Sequence, residues 1–153
     1  MEITTDRIKE LREMTDVSVM QCKKALEEAG GDLVAAAAIL KKHSAVSARK
    51  SADRLLAAGA VGSYTHDISI GAMVLLSCET DFVAKNPDFG ALARSLAMQV
   101  AAMDPENTED LLEQPFIKDE QKTVHDLLNE ATQKFGERVE VSRFARLSAR
   151  SSP

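Results

Sequence analysis

The sequence predicts an α+β protein: three short N-terminal helices, a linker helix, and a core whose small three-stranded antiparallel sheet is packed by helices. Three observations predict it. The first 43 residues carry apolar positions at helical spacing, punctuated by capping residues and a Gly-Gly stop. Residues 60–78 hold two β-prone runs separated by a short turn, and residues 138–147 alternate as a third strand. The expected divisions are a helical module at 1–43, a linker helix at 44–58 and an α+β core at 59–153.

Thr4 or Thr5 caps the first helix, which places Ile8 and Leu11 on its inner face. Thr15-Asp16 breaks it. Ser18 caps a second helix carrying Met20, Lys23, Lys24, Ala25 and Leu26, and Gly30-Gly31 ends it because glycine takes the left-handed cap geometry without penalty. Asp32 caps a third helix through Leu33, Ala36, Ala37, Ile39 and Leu40. Residues 44–58 are rich in Ala, Ser, Lys and Arg, with Arg49, Lys50 and Arg54 on the expected linker helix and Gly59 closing it.

Ala60 to His66, a turn at Asp67 to Ser69, and Ile70 to Cys78 form the expected hairpin. Ile70, Ala72, Val74, Leu76 and Cys78 share one face of the second run, and Met73, Leu75 and Ser77 the other. Apolar residues on both faces mark an inner strand, or one whose second face meets a partner. Pro87 suits a helix's first turn with Asn86 as cap, and Phe89, Leu92, Ala93, Leu96, Val100 and Met103 trace its stripe. Asp104-Pro105 ends it, and an acidic piece from Glu106 to Glu113 leads to Pro115. Thr123 to Phe135 is another helix with Val124, Leu127, Leu128 and Ala131 inward, stopped by Gly136. Arg138 to Leu147 is the last strand, and Ser148 to Pro153 is expected to fray.

Composition narrows the function. A formal net charge of -5 disfavours non-specific nucleic-acid binding, which relies on dense positive charge. Cys22 and Cys78 lie far apart without metal spacing, and His43, His66 and His125 are equally dispersed. No metal and no cofactor are expected. No run approaches the roughly 20 apolar residues needed to cross a bilayer, and no secretory signal pattern opens the chain. The expected compartment is the cytoplasm. Gly-x-x-x-x-Gly-Lys-Ser/Thr and Gly-x-Gly-x-x-Gly loops are absent, as are Gly-x-Ser-x-Gly and His-Glu-x-x-His, so neither direct nucleotide binding nor an enzyme is expected. A cysteine on a helix or strand face is more often a small buried hydrophobe than a nucleophile.

The most informative stretch is Ser77-Cys78-Glu79-Thr80-Asp81-Phe82-Val83-Ala84-Lys85-Asn86, between a strand and a helix. Plain turn chemistry there favours Gly, Asn or Ser rather than an aromatic. Phe82 either folds back into the core or is offered to a partner, and the residues alone leave both readings open. The scarcity of aromatics (five Phe, one Tyr, no Trp) makes an exposed Phe costly. Met20 is open in the same way, since a methionine at helical spacing usually packs in a core.

Cys78 to Asn86 resembles the signature of the elongation factor Ts family. Further matches are Ile8-Lys9-Glu10-Leu11-Arg12-Glu13 with Met20-Gln21-Cys22-Lys23-Lys24-Ala25-Leu26, then Gln114-Pro115-Phe116-Ile117-Lys118-Asp119, then Gly136-Glu137-Arg138-Val139-Glu140-Val141 with Arg143-Phe144. They fall in the family's order along nearly the whole chain. The resemblance implies a UBA-like (ubiquitin-associated) N-terminal module, a dimerisation-type core, and nucleotide exchange on the GTPase elongation factor Tu. It implies that Asp81 and Phe82 insert near the Mg/nucleotide site, and that Arg12, Val19, Met20 and Lys23 dock on the GTPase domain, with Lys24 a solvated charge. It also implies a possible homodimer, for which Met73, Leu75 and Ser77 on the outer face of the second run are the expected interface. The alternative is a non-exchanging binding module, or a degenerate relative that holds elongation factor Tu or polypeptides through the UBA-like helices. Two departures stand out. Asp16 and Ser18 occupy the places of the family's turn glycines, and Asp104 to Gln114 crosses a gap where members usually insert helices or a second core.

Overall fold

Capping chemistry organises the first helices. In the computed structural model, which describes residues 2–50 and 54–150, α1 (Thr5–Thr15) starts where the Thr4 hydroxyl accepts the Arg7 N–H at 3.3 Å. It stops at Asp16, which adopts φ 56°, ψ 23° while its N–H donates to the Arg12 carbonyl at 2.7 Å. Asp16 therefore takes the left-handed conformation that glycine takes more cheaply; aspartate is among the few residues that tolerate it. The absent turn glycine leaves the helix stop intact. Ser18 caps α2 (Val19–Glu28) by accepting the Gln21 N–H. Gly30 and Gly31, both at positive φ, end it, with the Gly31 N–H reaching the Leu26 carbonyl at 2.8 Å. Asp32 then accepts the Val34 and Ala35 N–H groups. The core these helices share is small: Leu11, Cys22, Ala25, Leu26, Ala36 and Leu40 are buried, with Ile3, Ile8 and Val17 packed around them.

One expected boundary is corrected. The third helix does not end near residue 43; α3 runs Leu33–Lys50 without a break. Ser44, the first residue of the expected linker, is buried and returns its hydroxyl to the Leu40 carbonyl at 3.1 Å, which lets serine sit inside a helix. No separate linker helix spans 44–58: its first part is the end of α3, residues 51–53 lie outside the described residues, and 55–57 are irregular. Gly59 does not close a helix either. It lies inside β1 (Ala58–His66), where a Cβ would stand 2.7 Å from the Leu76 carbonyl oxygen of the neighbouring strand. Glycine serves close strand approach there, a role that looks the same as a helix stop in sequence.

Chain contacts divide the described residues into two units, one comprising 2–50 with 129–136 and the other 54–128 with 137–150. In the second, β1, β2 (Ile70–Cys78) and β5 (Glu140–Ser148) form an antiparallel sheet in the order β1-β2-β5. β2 is the inner strand, one of the two readings its two apolar faces allowed. Ala72, Val74, Leu76 and Cys78 are buried beneath α5 (Pro87–Met103), whose Phe89, Ala93, Leu96, Ala97 and Val100 are fully buried. Gly62 marks the helix crossing: a Cβ there would lie 2.2 Å from the Ala93 carbonyl carbon. Met103, expected in the stripe, is instead 45% exposed at the helix end.

Between α5 and the last helix the chain is more structured than its acidic sequence suggests. α6 (Thr108–Glu113) leads into a second hairpin, β3 (Pro115–Phe116) with β4 (Asp119–Thr123), while α4 (Asp81–Ala84), a single turn, comes before α5. Gln99, fully buried on α5, donates to the Gln114 side chain and the Pro115 carbonyl and accepts the Ile117 N–H at 2.9 Å. One buried side chain thus ties together backbone groups on both sides of Phe116 in the hairpin. α7 (Val124–Phe135) opens on a reciprocal cap, with the Asp126 N–H on the Thr123 hydroxyl and the Thr123 N–H on the Asp126 carboxylate. Gly136 at φ 71° ends it.

The sheet face away from α5 carries Val61 and Met73, 60% and 55% exposed, beside half-buried Leu75. Ser77 does not belong to that open face. It is buried, with its hydroxyl 2.6 Å from that of Ser142, because a register shift between Leu75 and Leu76 brings β5 against it. Ser148, expected to fray, is the last residue of β5; residues 151–153 lie outside the described residues.

Candidate functional site: a clamped turn that exposes Phe82

Thr80 leaves β2 in an extended conformation and caps α4, its hydroxyl accepting the Val83 N–H at 3.4 Å. The Lys85 and Asn86 N–H groups close the turn onto the Asp81 and Val83 carbonyls at 3.0 Å. Asn86 then caps α5 through the Asp88 N–H, with Pro87 at the first helical position. Successive helical residues point about 100° apart, so an inward Val83 turns Phe82 outward. Val83 is 5% exposed and Phe82 86%. Of the five phenylalanines, Phe89 and Phe116 are buried and Phe135 and Phe144 half-buried; Phe82 alone is exposed. Phe82 is therefore not a core residue.

A four-residue helix has almost no stability of its own, because nucleation costs more than one turn of hydrogen bonds returns. The hold comes from the segment before β5. One Glu137 carboxylate oxygen accepts the Glu79 and Thr80 N–H groups at 3.1 and 3.0 Å, and the other accepts the Thr80 hydroxyl at 2.7 Å. In return the Glu79 carboxylate accepts the Arg138 N–H at 2.6 Å. Arg54 lies 3.6 Å from Glu79, and Arg138 pairs with Glu140 at 2.6 Å and donates to the Arg54 carbonyl, so cations offset the clustered acids. Cys78, fully buried, donates its thiol to the Thr80 carbonyl at 3.3 Å. Burial pushes its pKa above the ordinary cysteine value, and the carboxylates of Glu137 and Asp81 push the same way. A buried thiol held neutral is a poor nucleophile.

The other predicted residues lie in the helical unit. Arg12 is exposed on the last turn of α1. Val19 and Met20, the first residues of α2, are 51% and 65% exposed, so Met20 is not a core methionine. Lys23 is exposed and sits 4.0 Å from Glu27 one turn on. Sequence reasoning missed Met14, 60% exposed in the last turn of α1, although its place off the Ile8–Leu11 stripe was the available signal. It also passed over Glu137, which appeared only as one letter of a matching segment. Among the described residues no group of three or more His, Cys, Asp and Glu gathers to hold a metal, and no helix is long and apolar enough to cross a membrane.

Known proteins match the chain around this turn and beyond it. The family model described as Elongation factor TS covers residues 79–152, from Glu79 through β5. An Elongation factor Ts from Desulforamulus reducens is 40% identical over 191 residues, covering 95% of this chain and 88% of the relative. One from Thermodesulfovibrio yellowstonii is 38% identical over 190 residues, covering 95% and 96%. One from an Azoarcus species is 45% identical over 150 residues, covering 97% of this chain and 50% of the relative. The first two alignments are longer than this chain's 153 residues, so those relatives carry residues with no counterpart here. With identity at this level along nearly its whole length, the chain belongs to the elongation factor Ts family.

Proposed function

We propose that this chain, as a member of a family of translation elongation factors, is a guanine-nucleotide exchange factor for elongation factor Tu. In this reading Asp81 and Phe82 enter the GTPase domain beside the Mg/nucleotide site, while Arg12, Val19, Met20 and Lys23 dock on the same domain. The observation that carries the reading is Phe82, 86% exposed on a turn that is otherwise fully tied down. Magnesium bridges and neutralises the phosphates, so disturbing its coordination loosens the nucleotide. Linkage makes the effect mutual: a factor that weakens GDP binding is itself weakened by GDP to the same extent. No covalent step is needed.

Stopped-flow release of a fluorescent GDP analogue from elongation factor Tu tests this directly. Acceleration that rises with chain concentration and is lost in Phe82→Ala supports it. Binding of a folded chain without acceleration selects the non-exchanging relative, a reading that the short Asp104-to-Gln114 crossing keeps in view. We further propose that a second copy covers the open sheet face at Met73 and Leu75, giving a homodimer. A monomer mass in sedimentation that stays constant into the micromolar range overturns the dimer without touching the exchange reading.

A further inference from the structure

We infer that Glu137 is the positioning residue of the Phe82 turn: its carboxylate, brought in from the segment before β5, sets the direction in which Phe82 is presented. The inference rests on the exchange reading but stands on separate geometry. Three groups at the entry to α4 converge on this one carboxylate: the Glu79 N–H at 3.1 Å, the Thr80 N–H at 3.0 Å and the Thr80 hydroxyl at 2.7 Å. The Glu79 and Thr80 amides precede α4, so α4 itself supplies no carbonyl for them. Thr80 links the carboxylate to the helix, because the hydroxyl that donates to Glu137 also accepts the Val83 N–H. Glu137 comes from the segment that leads into β5 and follows Gly136, whose φ is 71°.

Removal of the carboxylate frees both amides and the hydroxyl at once. Val83 still anchors the far side of α4, so the turn stays attached but loses its fixed entry, and Phe82 samples a cone of directions. An aromatic inserted by a rigid body must arrive in one orientation, and small misplacements cost much in rate. The amide of glutamine keeps an oxygen for both N–H groups, and its NH₂ can donate to the Thr80 hydroxyl in place of the reversed bond. Glutamine therefore preserves the geometry while removing the charge.

The test compares wild type, Glu137→Ala, Glu137→Gln and Phe82→Ala by GDP-analogue release over a range of chain concentrations. Amide hydrogen exchange of the free chains is followed alongside. The expected result for Glu137→Ala is a limiting release rate lower by roughly tenfold or more, with the half-saturating concentration moved far less. Amide protection at Glu79 and Thr80 falls while that of α5 and β2 is unchanged, and Glu137→Gln restores most of both. A Glu137→Ala chain that keeps the wild-type limiting rate, while Phe82→Ala loses it, overturns the positioning role and leaves the exchange reading standing. If even wild type fails to accelerate release, the exchange reading falls, and retained protection at Glu79 and Thr80 in Glu137→Ala overturns the positioning role independently.

Discussion

Glu79 and Glu137 clamp neighbouring backbone: the Glu137 carboxylate accepts the Glu79 N–H at 3.1 Å, and the Glu79 carboxylate accepts the N–H of Arg138, the residue after Glu137, at 2.6 Å. Two acids in one small region repel unless donors and cations offset them, and here the backbone amides of Glu79, Thr80 and Arg138, with the Arg54 side chain, do so. The exchange makes the end of β2 and the start of β5 rigid together, and the Phe82 turn is built on that join.

Phe82→Ala should separate stability from function. A side chain 86% exposed buries little on folding, so the change should move unfolding free energy by no more than about 0.5 kcal/mol. Chemical denaturation should give an unchanged midpoint while GDP release slows strongly. A large loss of stability would mean that Phe82 packs against the chain.

Gln99→Leu should destabilise the second unit by about 2 kcal/mol or more, because it leaves the Ile117 N–H and the Pro115 carbonyl without their buried partner. The apolar replacement is close in size, so the loss reports hydrogen bonding rather than a cavity. The urea midpoint of the purified variant measures it, and wild-type stability would contradict the role given to Gln99.

Ile68 sits at the tip of the β1–β2 hairpin with φ 57° and 97% exposure, a left-handed conformation that a β-branched residue enters only under strain. Ile68→Gly should therefore raise stability by about 1 kcal/mol, the relieved strain exceeding the added freedom of the unfolded chain. A melting temperature unchanged or lower than wild type would count against it.

Cys78 makes stability depend on alkaline pH. Its folded pKa is raised by burial and by Glu137, so its contribution is fully present below the unfolded value of about 8.5 and is lost as pH rises through the folded value. Wild type should lose more stability than Cys78→Ala between pH 7.5 and pH 10, whatever offset the substitution itself introduces. Denaturation midpoints at the two pH values provide the comparison; parallel losses would remove Cys78 as the cause.

Elements set by nearby residues were legible in the sequence. Thr4, Ser18, Asn86 and Thr123 cap the helices they were expected to cap or begin, because a cap is a contact between residues two to four apart. The inner place of β2 was one of two readings its apolar faces allowed, and the family followed from wording spread along the chain. What failed locally did so where one residue type serves two purposes. Gly59 looked like a helix stop and is a strand glycine set close to the Leu76 carbonyl.

The sequence by itself determined the long helices, the strands of the main sheet and the membership of a family, but not α4, α6 or the β3–β4 hairpin. Tertiary structure decided which apolar residues are left outside: Met20 and Phe82 are exposed, whereas Ser77 is buried by a one-residue shift against β5. It also decided that Glu137 reaches Glu79 across 58 residues of chain. Helix periods and caps are enforced within a few residues of backbone, but exposure and long-range hydrogen bonds depend on what the rest of the chain packs against, and no local pattern carries that information.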